Sequence, residues 1–340
     1  MDNLTIALDA MSGDFGPRVI VPAALQALDL HRNLHLILVG SSAEISIFLP
    51  NKHPRLTVIK SSSVIPNDMK PSLAIRRSQG SSMRMALELV NSKEAQACVS
   101  AGNTGALMGL SKLLLHSISG IKRPALVATL PTIKDGNTVI LDLGANIESD
   151  SEMLVQFAIM GSILANTVLN IVNPRVALLN IGKEDIKGLE RIRVAANKLK
   201  TNHYFNFVGY LEGDELLSGK TDVLVCDGFT GNVTLKTVEG LIKIFLSSNQ
   251  LMTKNKSIFA RLTRYWMQKK MMNYFGHLDP NHYNGACLLG LQSIVIKSHG
   301  AASQSSFLAA IEHAILAIEN NLPERIASSL SSILPKSEKN

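Results

Sequence analysis

Short apolar runs alternate with longer segments in which apolar residues return every three or four positions. Residues 4–8 read as a buried strand, 34–39 as a second that Gly40 stops, and 56–60 as a third. Pro17 opens a helix to about residue 30. After a loop at 66–71, Met83, Leu87 and Val90 mark the apolar stripe of another helix. Residues 97–99 run into Ser100-Ala-Gly-Asn-Thr-Gly105, and Ala106, Leu107, Leu110 and Leu114 continue as a helix. Strands and helices that alternate across short connections predict a mostly parallel sheet covered on both faces. The rhythm changes at 125–133 and 138–143, two β-rich runs around Lys134-Asp-Gly-Asn137, which is a hairpin signal. Residues 153–174 carry no charge and have the length of a membrane span. Gln156, Ser162, Asn166, Thr167 and Asn170 interrupt them, so the segment reads as a buried core helix. Strands follow at 176–180, 205–208 and 221–226, with a helix at 186–200. Helices at 231–250 and 257–275, a strand ending at 295–297 and a helix to about 321 complete the pattern. The expectation is one three-layer α/β/α domain over 1–340, with a protruding amphipathic helical pair at 234–276 and a Ser-rich tail frayed over 328–340.

Composition narrows this little, but charge does. Of 340 residues, 46% are hydrophobic and 18% charged, which suits a soluble chain with a large core. The formal net charge of +7 is local: Lys243, Lys254, Lys256, Arg261, Arg264, Lys269 and Lys270 account for all of it, with no acidic residue among them. Trp266, the only tryptophan, lies in the same stretch. A basic amphipathic helix bearing Trp can rest on an anionic membrane, dock an acidic protein, bury its stripe in a dimer, or present a solvated basic face of its own hairpin. Arg261, Arg264, Trp266, Lys269 and Lys270 are the candidate contacts. Three widely spaced cysteines and no C-x-x-C pair argue against a disulfide framework or a zinc site, and no metal is expected. The first residues lack the regions of a signal peptide, so a cytoplasmic location is expected.

The chemistry gathers at two turns. Ser100–Gly105 joins a strand to a helix, where unpaired N–H groups and the helix dipole favour an anion. Asp227-Gly-Phe-Thr-Gly231 repeats its Gly, Thr and Gly, again between a strand and a helix. Ligands of open α/β sheets collect at the carboxyl ends of strands, so the two turns are expected to share one such edge. Other motifs fail. No G-x-G-x-x-G opens a helix, no G-x-S-x-G elbow exists, and Gly213-Asp-Glu-Leu-Leu-Ser-Gly-Lys-Thr221 has one residue too many for a P-loop. No His-x-x-x-x-Asp is present, and Cys226 reads as a small buried apolar residue before it reads as a nucleophile. Anion sites without a protein nucleophile suggest that phosphate itself attacks an electrophile held and polarised by the protein.

Seven blocks in order along the chain resemble the bacterial phosphate acyltransferase family of phospholipid synthesis. They are Leu8-Asp-Ala-Met-Ser-Gly-Asp14, Ser100-Ala-Gly-Asn-Thr-Gly-Ala-Leu107, Asp142-Leu-Gly-Ala-Asn146, Leu179-Asn-Ile-Gly-Lys-Glu184, Cys226-Asp-Gly-Phe-Thr-Gly-Asn232, Tyr283-Asn-Gly-Ala286 and His299-Gly300. Ser12 and Asn284 stand where that family often has Gly. The resemblance implies an α/β/α fold similar to phosphotransacetylases and isocitrate dehydrogenase-like enzymes, and attack of inorganic phosphate on the thioester of a long-chain acyl carrier protein. It implies a homodimer without cofactor, associated with the inner face of the membrane, handing acyl phosphate to a membrane glycerol-3-phosphate acyltransferase; nucleic acid is not implied. On this reading Ser100, Gly102, Asn103, Thr104 and Gly105 hold phosphate, and Asn232 donates to the thioester oxygen. Asp227 orients a neighbour or caps its helix. Lys183 complements phosphate charge or is a solvated loop lysine. His299 protonates the departing thiolate or is structural, and Asp9 is polar scaffolding at a strand end. The rivals are a phosphotransacetylase-like enzyme using short-chain acyl-coenzyme A and a non-enzymatic carrier-protein or membrane-binding scaffold.

Overall fold

The computed structural model describes residues 3–49, 51–133, 136–251 and 285–333. In chain order they form β1 (Leu4–Asp9), α1 (Pro17–Leu30), β2 (Leu34–Gly40), α2 (Ser42–Phe48), β3 (Leu56–Lys60), α3 (Pro71–Arg76), α4 (Ser82–Asn91), β4 (Ala97–Ser100) and α5 (Thr104–Leu115). Next come β5 (Ala125–Pro131), β6 (Asn137–Leu141), α6 (Ser151–Val168), β7 (Arg175–Leu179), α7 (Glu190–Thr201), β8 (Asn206–Leu211), β9 (Val223–Val225) and α8 (Gly228–Leu251). The chain closes with β10 (Ala286–Leu289), β11 (Ile294–Lys297), α9 (Gln304–Glu319) and α10 (Leu322–Ile333). Residues 252–284 lie outside the description, and with them the second basic helix and its Arg261, Arg264, Trp266, Lys269 and Lys270.

All the described strands join one sheet of 11, ordered β3-β2-β1-β4-β11-β10-β5-β6-β9-β7-β8. It is mostly parallel, as the alternating pattern predicts. The antiparallel pairs, β11–β10, β10–β5 and β5–β6, lie in the middle. These reversals give β3, β2, β1, β4 and β11 one direction and β6, β9, β7 and β8 the other. The turns after β4 and β9 therefore leave from opposite edges, which corrects the expectation of a shared edge. Register changes what this means. One line of paired residues crosses the sheet as Leu8, Val99, Ile296, Cys287, Val127, Leu141, Val225 and Leu178. Val225 ends β9, and Val99 is one residue short of the end of β4. The two parallel halves are slipped past each other, so their carboxyl ends meet along this line from opposite sides.

Alternation along each strand feeds two cores. On one face Leu8, Val99, Ile296, Leu141 and Val225 pack with α1, α6 and α9. On the other Ala7, Cys98, Val295, Ile140 and Leu224 pack with α4 and α5, and Leu235 and Val238 of α8 lie against them. The uncharged helix is α6: Phe157, Ala158, Ile159 and Met160 have no exposed surface, as a core helix requires. Side-chain caps start α4, α5, α6 and α9, at Ser81, Asn103, Asp150 and Ser303. α10 packs on α6 and buries Leu322, Ile326 and Leu330, so the fraying expected from Ser328 is corrected as far as Ile333.

Candidate active site

The last residues of three neighbouring parallel strands are polar, and they stand side by side. Asp9 ends β1, Ser100 ends β4 and Lys297 ends β11, and Ser100 and Lys297 are register partners. One residue beyond the apolar line, all three project to the face that carries α5 and α8. The Ser100 hydroxyl donates to Asp9 Oδ2 at 2.7 Å and accepts the Gly102 N–H at 3.1 Å. Ser12 closes the same corner, donating to the Asp9 carbonyl at 2.7 Å and accepting the Ala101 N–H at 2.9 Å. Gly13 holds φ +76°, and a Cβ there would lie 2.8 Å from the Gly300 carbonyl, so only glycine lets the loops after β1 and β11 meet. The Asp14 N–H donates to that same carbonyl at 2.8 Å.

Lys297 is 9% exposed. Its ammonium donates to the Ala101 carbonyl at 3.4 Å and to the Ser298 carbonyl, and among the described residues no carboxylate lies within ion-pair distance. Burial and the neighbouring Lys236 lower its pKa to about 8, against the pull of Asp14 and Asp9. Burial also raises the Asp9 carboxyl above the usual range.

Asn103 shapes the start of α5. Its Oδ1 accepts the Ala106 N–H at 3.0 Å, and its amide donates to the carbonyls of Asn67 and Met69 at 2.8 and 2.9 Å. The side chain expected to touch phosphate is committed to a cap and to anchoring a loop. Gly102 packs on Met83 and Gly105 on Pro71, where a Cβ would come within 2.5 Å of each. The N–H groups of Thr104 and Gly105 precede the first intrahelical bond, from Leu107 N to Asn103 O, and remain the donors of this turn.

The second turn is built on Asp142. This buried carboxylate accepts the N–H groups of Leu126, Gly144, Ala145 and Asn146 and the Asn146 side chain, all between 2.7 and 3.1 Å. Asp227 caps α8 by accepting the Thr230 N–H at 2.8 Å and pairs with Arg191 at 2.9 Å. Asp227 is thus the cap of its helix and the partner of Arg191. Asn232 is exposed one turn later, with Gly144 alongside. Lys183 follows β7 on this edge. Its ammonium pairs with Glu215 at 2.8 Å in a surface group that includes Lys220, and no hydrogen bond joins it to Asn232 or His299.

α8 spans the distance between the two turns. Asn232, Lys236 and Glu239, at i, i+4 and i+7, share one side of it. Lys236 reaches His299 Nε2 at 3.2 Å and Glu239 at 2.8 Å. The Ala301 N–H donates to His299 Nδ1 at 3.1 Å, and Glu239 lies 4.0 Å from its Nε2. The structure links Ser100, Thr104, Gly105 and His299 on one side, through Lys236, to the helix that carries Asn232 on the other, and these two sides are the walls of the candidate cleft. Sequence reading missed Lys236 and Lys297. Lys297 did leave a signal: like Asp9 and Ser100, it is a polar residue closing an apolar strand.

None of the three thiols offers a nucleophile. Burial drives Cys98 and Cys226 well above the ordinary thiol range and Cys287 to about 12.

The fold is that of the phosphotransacylases. The chain superimposes on a phosphotransacetylase from Streptococcus pyogenes with a TM-score of 0.59 at 17% identity, over 93% of this chain and 94% of that one. A branched-chain phosphotransacylase from Enterococcus faecalis V583 matches at 0.58 and 14%, over 93% and 99%. A 4-hydroxythreonine-4-phosphate dehydrogenase from Klebsiella pneumoniae shares the architecture at 0.50 and 14% identity, over 96% and 100%. These identities speak for fold alone. Residues 4–325 match the fatty acid synthesis protein family, and the chain belongs to that family. Membership supports a transferase of lipid biosynthesis that passes an acyl group to phosphate, as the sequence resemblance implies.

Proposed function

We propose that the protein transfers a long-chain fatty acyl group from acyl carrier protein to inorganic phosphate, giving acyl phosphate for phospholipid synthesis. The observation that carries this reading is a candidate cleft lined by anion donors in a chain whose thiols all titrate above the ordinary range. The nucleophile then has to arrive with the substrates. A phosphate oxygen attacks the thioester carbonyl, the carbon–sulfur bond breaks, and the sulfur leaves with a proton.

Each wall has a task in this reaction. The N–H groups of Thr104 and Gly105, with the Thr104 hydroxyl, hold phosphate against the positive end of α5. Ser100 and Asn103 shape that turn. The Asn232 amide donates to the thioester oxygen, whose charge grows in the transition state. His299, with the Lys236 ammonium at its Nε2, stands as the acid for the departing sulfur. An acidic carrier protein is drawn to the basic residues between 240 and 278. Arg261, Arg264, Trp266, Lys269 and Lys270 also suit contact with the inner face of the membrane, where a downstream acyltransferase uses the product. A homodimer belongs to the same reading.

The test is thiol release from palmitoyl-acyl carrier protein with and without phosphate. Release that depends on phosphate is expected, faster than from acetyl-coenzyme A. Equal release without phosphate overturns the reading, and a preference for acetyl-coenzyme A turns it towards a short-chain phosphotransacetylase. Asn232→Ala is expected to lower kcat by about 100-fold or more with the unfolding midpoint unchanged, because the side chain is exposed and acts late.

A further inference from the structure

We propose that Lys297, together with Lys236, is a direct ligand of the acceptor phosphate. This rests on the phosphate-transfer reading above and adds the cations that the sequence motifs leave out.

Lys297 is a buried ammonium whose hydrogen-bond partners are two backbone carbonyls. An ammonium has three protons, so one donor remains. A buried charge is retained where a counter-charge or a ligand compensates it. The groups that face it come from every element around the cleft. Asp9 on β1 is turned to Ser100 through Oδ2, while its Oδ1 has no partner. Asp14 in the following loop is exposed and accepts from Asn67 at 3.4 Å. Lys236 on α8 is close enough to depress the Lys297 pKa, and Glu239 engages it from the same helix. His299 meets the Lys236 ammonium through its Nε2. The Lys297 ammonium lies at the Ala101 carbonyl, two residues ahead of the α5 cap, and Lys236, paired with Glu239 and in contact with His299 Nε2, is near enough for the two charges to repel. Like charges converge where an anion between them relieves their repulsion. In this proposal a dianion seated on the first turn of α5 takes the remaining Lys297 proton and the charge of Lys236.

The experiment is calorimetric titration of inorganic phosphate into the full-length protein, with acyl release measured in parallel. Lys297→Met is expected to raise the Kd for phosphate, and the KM for phosphate, at least tenfold, while the KM for acyl carrier protein stays put. Lys236→Gln, an exposed position that leaves packing intact, is expected to raise both several-fold. Wild-type affinity is expected to fall above about pH 8, where Lys297 loses its proton, while Lys297→Arg holds its affinity to higher pH. Unchanged phosphate affinity in both neutral variants overturns the inference. A wild-type protein that binds phosphate through these lysines but releases no acyl group upholds the inference and overturns the functional reading. A wild-type protein that binds no phosphate overturns both.

Discussion

A lysine buried without an ion pair leaves a thermodynamic mark of its own. In the fold Lys297 titrates near 8, against 10.5 for the free side chain, because burial penalises its charge. Between those values the unfolded chain binds more protons than the folded one, so this group adds stability as pH rises through that window and withholds it below. The full effect is about 3 kcal/mol. The raised thiols act in the opposite sense above pH 9, since only the unfolded chain ionises them there. They are common to wild type and Lys297→Met, so the difference between the two isolates the lysine. Urea unfolding is expected to show Lys297→Met more stable at pH 7.5, with the gap closing towards pH 10. The raised carboxyls of Asp9 and Asp142 act in a separate window, losing stability as pH climbs past 3.8. Asp9 and Ser100 were legible in the sequence because each breaks an apolar run where a strand must end. Lys297 does the same, but a lysine at a strand terminus ordinarily marks solvent, and only the fold shows this one buried against the Ala101 and Ser298 carbonyls.

Helices set the walls of the cleft, and their footing is open to test. Asn103→Ala removes a cap together with the anchors of the 67–69 loop, and a loss of about 1–2 kcal/mol is expected in denaturant unfolding. Gly231 sits in the first turn of α8 directly over the Asp142 carbonyl, and a methyl group there would collide with it and with Cys226. Gly231→Ala is expected to displace α8, costing more than about 3 kcal/mol and lowering activity with it; retention of both in a thermal melt and an acyl-release assay would refute that packing. The periodic pattern found α1, α4, α5 and α6 because each keeps an apolar stripe. It missed α2 and α3, of 7 and 6 residues, which are too short to show a period. It missed β10 for a similar reason, since four residues carry little alternation and what holds β10 is β5 and β11.

At the scale of the whole molecule, the C-terminal helix clamps the uncharged one. Leu330→Ala is expected to lower stability by about 2–3 kcal/mol in urea, since Leu330 is 3% exposed against α6. The α/β class was legible from alternation, but the reversal of direction was not, because strand pairing across more than 150 residues leaves no local trace. That reversal has a consequence for how the chain is made. β10 and β11 fill the centre of the sheet, between β4 and β5, yet among the described strands they are translated last. While residues 132–285 are being added, β4 and β5 each present an open edge, the kind of surface that recruits foreign strands. The nascent chain carries an unfinished seam until β10 and β11 emerge, and Lys297 takes its place beside Ser100 in the same event.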